Sequence, residues 1–246
     1  MDKMLYIAMS GAKQTVLAQV VNTNNLANVS TTGFKADLAQ FRAMPVFGAG
    51  MPTRVYAMAE RPGSDMSHGP LTTTGRELDL AVRGEGWIAV QAPDGSEAYT
   101  RAGDLRLDSM GMLVNGAGYP VLGNAGPIAV PPFEKIEIGV DGTISIRPVG
   151  QAPNVLAEVE RIKLVNPPAE ELTKGQDGLM HRTDGQPAPA DAAVHLVSGA
   201  LEGSNVSAVE SMVNMITLAR QYEAQLKMME TAKDNDAAAD QLLRMA

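Results

Sequence analysis

The residues able to do chemistry are few and scattered. His68, His181 and His195 lie in three separate stretches. None has the His-x-x-x-His or Glu-flanked spacing that sets two zinc ligands on one helix face. Asp79, Asp104 and Asp108 could be drawn together as a carboxylate acid/base site. Asp104-Leu105-Arg106-Leu107-Asp108, however, alternates as a strand with exposed polar positions does. Gly84-Glu85-Gly86 lacks the third glycine and following helix of a dinucleotide loop, and Gly116-Ala117-Gly118 has the wrong spacing, so both read as turns. Ser64 and Ser67 lack a nucleophile elbow. The chain has no cysteine, which excludes disulfides, thiolate metal ligands and a cysteine nucleophile. No catalytic group, metal or cofactor is expected, and the reading is a non-enzyme.

The ends of the chain carry the stronger pattern. From about Ser204 to Met245 no Pro or Gly interrupts, and Ser207 with Glu210 forms a capping box. Beyond it Val209, Met212, Ile216, Ala219, Tyr222, Leu226 and Met229 recur at steps of three and four, one stripe on one helix face. At the other end, residues 3 to about 28 predict a second helix with Leu5, Met9, Ala12, Val16, Val20, Thr23 and Leu26 at similar steps. A polar run containing Asn24, Asn25 and Asn28 follows, and Gly33 permits a left-handed helix stop. This run reads either as a frayed helix end and a turn, or as a packing segment whose side-chain amides bridge neighbouring backbones between subunits.

Between the ends, Gly and Pro are scattered and apolar runs are short. Leu78–Val82 and Trp87–Val90 read as strands flanking a hairpin-sized Arg83-Gly84-Glu85-Gly86. Lys135–Ile138 and Thr143–Arg147 flank Gly139-Val140-Asp141-Gly142, whose Asp-Gly suits a tight turn. Val155–Val165 reads as a further strand. Residues 43–70 and 172–193 read as loops or linkers. The expected fold is a mainly β central domain, an irregular sandwich or barrel, inserted between N- and C-terminal helices that form a coiled-coil-like stem. The expected division is 1–35, 36–199 and 200–246.

Net charge of −8 and pI near 4.9 argue against a nucleic-acid groove. No apolar run is long enough for direct membrane insertion. The N-terminus lacks the features of a cleaved secretory signal. Unmatched apolar stripes at both ends, without a chemical cluster, point to a self-associating structural protein.

Asn24-Asn25-Leu26-Ala27-Asn28-Val29-Ser30-Thr31-Thr32-Gly33-Phe34-Lys35 closely resembles the N-terminal motif of bacterial flagellar rod and hook proteins. Leu71–Thr74 with Leu78–Trp87, and Tyr99–Asp104 continuing to Gly111–Val114 and Gly118–Gly123, resemble the family's central motif. Gly199–Val206 and Arg220-Gln221-Tyr222-Glu223 are similar to its C-terminal motif. Within the family, the opening Met1–Ala12 looks most like a proximal-rod member. The resemblance implies a rod subunit of the basal body in the periplasm, transmitting motor torque for motility. Its implied partners are copies of itself, other flagellar rod proteins and the flagellar type III export apparatus, which would export it without a cleaved signal peptide. The implied assembly interface comprises the helix positions Leu5, Met9, Ala12, Val16, Leu26, Val209, Met212, Ile216, Ala219, Tyr222, Leu226 and Met229, with Asn24, Asn25, Asn28 and Phe34. A distal-rod or other axial subunit is the alternative within the family. Outside it stands a secreted β-rich hydrolase or carbohydrate-binding module, which the scarcity of aromatics (4%) disfavours.

Overall fold

Two helices bracket a run of short strands among the residues described by the computed structural model, 4–45, 55–60, 63–150 and 156–245. Helix α1 spans Met4–Ala27 and helix α2 spans Ala208–Met245. The strands are β1 (Gln40–Pro45), β2 (Val55–Glu60), β3 (Leu71–Thr73), β4 (Leu80–Arg83), β5 (Trp87–Gln91), β6 (Glu97–Thr100), β7 (Arg106–Leu107), β8 (Leu113–Val114), β9 (Phe133–Ile138), β10 (Thr143–Pro148), β11 (Ala157–Arg161), β12 (Leu164–Val165), β13 (Leu172–Lys174), β14 (Met180–Arg182), β15 (His195–Ser198) and β16 (Ala200–Glu202). The chain folds as two units. The helical unit holds Met1–Asn28, Asp37–Gly63 and Val206–Ala246, and the β unit holds Val29–Ala36 and Ser64–Asn205. The opening residues 1–3 and Val155, part of the motif and the strand expected there, lie outside the described residues.

In the helical unit, the Ser207 hydroxyl accepts the Glu210 N–H at 3.3 Å, the forward half of the expected capping box. Helix α1 ends on its own polar residues. The Asn28 N–H reaches the Asn24 and Asn25 carbonyls, and its side-chain amide donates to the Asn24 carbonyl at 2.9 Å. The stop is therefore at Ala27, not at Gly33. The helices pack antiparallel: Asn22 Nδ2 donates to the Ser211 carbonyl at 2.7 Å, and Gly11 lies opposite Gln225. The stretch 43–70, expected as loop, contains strand. β1 and β2 form an antiparallel ribbon in register from Gln40↔Glu60 to Pro45↔Val55, and the Ala59 N–H donates to Gln14 Oε1 on α1 at 2.9 Å. Pro, Met and Ala mask the alternation there, so composition alone reads as a connection.

In the β unit, five strands form an antiparallel sheet in the order β12-β5-β6-β14-β13. Ile88 and Val90 of β5 join the large core cluster, while Trp87 and Ala89 join a smaller one on the opposite face. Burial on both faces explains why β5 reads as a continuous apolar run. The expected turn Gly139–Gly142 joins β9 to β10, with Gly139 N–H on the Thr143 carbonyl at 2.9 Å. Residues 83–86 do not make a hairpin, because β4 pairs with β15 and β5 with β6 and β12. Gly86, at φ +125°, passes so close to Val194 that a Cβ would lie 2.6 Å from its side chain, so the chain steps from one sheet to the next. The 172–193 stretch, expected as linker, supplies β13 and β14, whose short hairpin is hidden by its Gly and Asp turn residues. No closed barrel forms among the described residues. Small antiparallel sheets surround the two clusters instead.

Gly33 takes φ +66° in the β unit, where its N–H donates to the Glu202 carbonyl at 2.8 Å. A Cβ there would lie 2.3 Å from the Ala102 nitrogen and the Arg101 carbonyl carbon. Gly33→Ala is expected to destabilise the β unit by more than the ~1–2 kcal/mol that left-handed backbone alone costs a non-glycine residue. A lowered thermal midpoint followed by Trp87 fluorescence checks this.

Candidate assembly interface

Burial along the two helices follows steps of three and four, and it overlaps the bulky apolar stripes only in part. On α1 the fully buried residues are Ala8, Ala12, Thr15 and Ala18, all small. On α2 Ser211 and Ala232 are buried, with Met215, Leu218, Tyr222, Gln225 and Met229 half-buried between them. A Cβ added at Gly11 would come within 3.0 Å of the Gln225 amide, so the helix axes approach closely here. Small residues permit that approach, since interaxial distance is set by the side chains at the contact.

The bulky apolar residues are thereby left outward. Leu5, Met9 and Val16 on α1 are exposed, as are Val209 (74%), Met212, Ile216 (56%) and Leu226 (45%) on α2. Val20 and Val213 are exposed as well. Of the positions chosen from sequence, Ala12 is buried, and Leu26, Ala219, Tyr222 and Met229 are half-buried. Leu5, Leu226 and Met229 line an open groove between the helices, rimmed by Glu223, Glu230 and Lys233. Large exposed apolar patches mark protein-interaction sites, and these side chains are the candidates for one.

The asparagine run divides. Asn24 and Asn28 belong to the end of α1. The Asn25 amide engages the backbone of Asp37, donating to its carbonyl at 2.8 Å and accepting its N–H at 2.9 Å. Phe34 sits in the β unit with Lys174 Nζ 3.7 Å above its ring.

Beside Phe34 lies a cluster that the periodicity did not reveal. Glu202 is buried with Lys35 on one carboxylate oxygen at 2.8 Å and Arg101 on the other at 2.9 Å. Each of these side chains is 2% exposed. Lys35 Nζ also donates to the Ser67 carbonyl at 2.7 Å, and the Gly69 N–H donates to Glu202 Oε1 at 3.1 Å. Arg101 donates to the Gly84 carbonyl and stands 5.4 Å from the Trp87 ring centre. Burial pushes the Glu202 carboxyl up, but the hydrogen bonds from Lys35 and Arg101 win and hold it below the usual carboxylate range. For Lys35, burial outweighs the attraction of Glu202 and lowers its ammonium pKa. The one sequence signal was alternation: Ala200 and Glu202 are inward on β16 while Leu201 between them is only partly covered, so a carboxylate falls on an apolar face.

The histidines are dispersed. His68 Nδ1 lies 3.1 Å from Arg101, His181 pairs with Asp177 at 3.0 Å, and His195 is exposed on β15. Asp79 and Asp104 meet as an isolated backbone bridge, with Asp79 held by Arg76 at 3.2 Å, while Asp108 accepts the Met110 and Met112 N–H groups in a turn. Among the described residues no helix is long and apolar enough to cross a membrane.

Three family models match the chain. They are described as flagella basal body rod protein (residues 5–35), flagellar hook protein FlgE/F/G D1 domain (81–146) and flagellar basal body rod FlgEFG protein C-terminal (197–242). The chain is 45% identical over 252 residues, covering all of both chains, to the flagellar basal-body rod protein FlgF of Escherichia coli (strain K12). It is 44% identical over the same span to the protein of that name from Salmonella typhimurium (strain LT2), again covering both chains fully. It is 34% identical to the flagellar basal-body rod protein FlgG of Buchnera aphidicola subsp. Schizaphis graminum, over 93% of this chain and 95% of that one.

Proposed function

We propose, from the premise that this chain belongs to the family of flagellar basal-body rod proteins, that it is a proximal-rod subunit whose paired terminal helices assemble with copies of itself and with other rod proteins. The observation that carries this reading is the division of labour on the helices. Small residues hold α1 against α2, and Leu5, Met9, Val16, Val209, Met212, Ile216 and Leu226 are left for neighbours. Heterologous contacts that do not close on themselves propagate a filament. Burial at steps of three and four supports a coiled-coil-like stem. A stem whose helices pack together over several turns resists twist, as a shaft transmitting motor torque must. Export by the flagellar type III apparatus to a periplasmic rod follows from the same reading. Asn24, Asn28 and the groove at Leu5 and Leu226 belong to the proposed interface.

The proximal position rests on the higher identity to the FlgF proteins than to the FlgG protein over similar spans. Mass spectrometry of extracted basal bodies, with electron microscopy of a strain lacking this chain, tests it. The expected result is a few copies per basal body and assembly halted before the distal rod. Complete basal bodies without the chain would overturn it.

A further inference from the structure

The sequence holds one Asn-Gly pair, Asn115-Gly116, and it lies in the β unit just after β8. An asparagine before a glycine is chemically unstable. Once the Gly116 nitrogen gives up its proton, it can attack the side-chain carbonyl carbon of Asn115, because no Cβ on the glycine stands in the way. A five-membered succinimide forms. The bond to the side-chain nitrogen breaks, and that nitrogen takes up a proton and leaves as ammonia. Water then opens the ring at either carbonyl and leaves aspartate or isoaspartate at 115. The step needs no enzyme, metal or oxidant, and water is its co-reactant.

The fold occupies both reacting groups. Asn115 is 1% exposed. Its Oδ1 accepts the Ala117 N–H at 3.1 Å and the Tyr119 N–H at 2.9 Å. Its backbone N–H donates to the Tyr119 carbonyl and its carbonyl accepts the Gly118 N–H, both at 2.9 Å. Turning the side chain onto the Gly116 nitrogen breaks the bonds at Oδ1 and leaves two N–H groups without their acceptor. On the other side of the reaction, Asp104 closes on Gly116, where a Cβ would lie 1.6 Å from Asp104 Oδ2. A carboxylate so near opposes loss of the Gly116 proton, which would set one negative charge beside another. Arg106 donates to the Gly116 carbonyl and holds that peptide in place. All of these contacts are lost on unfolding.

The product does not fit the place it leaves. Asp108 builds the same loop before β8, its Oδ1 accepting the N–H groups of Met110 and Met112, each at 2.8 Å. That loop is half-buried at Asp108 and takes a carboxylate. The Asn115 loop is buried and close to the Asp104 carboxylate, so it needs the neutral amide; a charge made there must be desolvated near a second one. Isoaspartate also adds a carbon to the main chain and puts Val114 out of step with Pro120, its bridge partner across the loop. We propose that Asn115 is a deamidation site of the unfolded chain that folding shuts. Chains left unfolded hydrolyse there and lose the means to rebuild the loop after β8, so the pair retires chains that wait too long. This does not depend on the rod reading above.

The test keeps the full-length chain in parallel in folding buffer and in guanidinium chloride, both at mildly alkaline pH, and follows every asparagine by peptide mapping with mass spectrometry. In denaturant Asn115 is expected to convert faster than any other asparagine. In the folded chain its conversion is expected to be at least about tenfold slower, because the loop must open first. Equal rates in the two conditions would overturn the proposal, as would another asparagine converting faster in denaturant. Chains aged in denaturant are then diluted to refold and treated with protease. Survivors are expected to carry Asn115, while the aspartate and isoaspartate forms are digested. Equal survival of the converted chains would overturn the loss of folding. Asn115→Asp, made directly, gives a second reading: its unfolding midpoint by Trp87 fluorescence is expected below that of wild type, and a wild-type midpoint would overturn the claim that the buried loop rejects the charge.

Discussion

Ile216→Glu is expected to abolish incorporation into rods while leaving the unfolding transition of the β unit in place. Ile216 lies on the outward face of α2 beside Met212 and Val213, and all three are exposed in the single chain. A carboxylate there costs the isolated helix little. Against an apolar neighbour it must be desolvated without a partner, at several kcal/mol. Truncation of a central interface residue alone removes about 2 kcal/mol or more, so a loss of incorporation of at least about thirtyfold is expected. Leu226→Glu should act alike, since Leu226 shares its groove with Leu5 and Met229. Quantitative mass spectrometry of basal bodies reads the effect. Wild-type incorporation of both variants would end the assignment of this face to assembly.

Glu202→Ala is expected to have the largest effect on the stability of the β unit. It leaves Lys35 and Arg101, each 2% exposed, without a counter-charge. Breaking a buried ion pair by removing one partner costs about 3–5 kcal/mol. Replacing the whole set with apolar residues, as in Lys35→Met with Arg101→Met and Glu202→Leu, should cost far less, because no charge is then left buried. The pH response follows from the lowered Glu202 pKa. A depressed carboxyl binds its proton more weakly in the folded state than in the unfolded one. Its stabilisation is complete above the unfolded carboxyl value of about 4.3 and is lost as pH falls through the folded value. Denaturant unfolding followed by Trp87, the chain's one tryptophan, measures both. Equal stability of Glu202→Ala and wild type at neutral pH would refute the account.

Much of the layout is legible in the order of residues, for local reasons. The absence of Pro and Gly after Ser204 and the Ser207–Glu210 spacing mark α2, and the Asp141-Gly142 pair marks the β9–β10 turn. What is not legible depends on contacts made far along the chain. The pairing of β16 with β3 and of β15 with β4 joins segments more than a hundred residues apart, and no local pattern names the partner. The face that each helix buries in the single chain lies about one position from its bulky apolar stripe. Hydrophobicity ranks Leu5, Met9 and Val16 above Ala8, Thr15 and Ala18, yet close approach at Gly11 favours the small set. Asn25 and Phe34 stand out as a polar-motif residue and an aromatic one, but which group each meets is set by the tertiary fold.

The antiparallel helix pair also bears on the order in which the molecule folds. Asn22 and Ser211, which meet across it, are 189 residues apart in sequence, and contacts of such separation form slowly because the intervening chain must first be confined. The Lys35–Glu202 contact changes that constraint. Once it forms, only the short stretches 22–35 and 202–211 remain to be closed before the helices can meet. The β unit, whose residues 64–205 are continuous, is therefore the template. The helical unit is therefore expected to condense last, its outward apolar face completed only when the β unit is in place, and pulse-labelled amide exchange during refolding checks this.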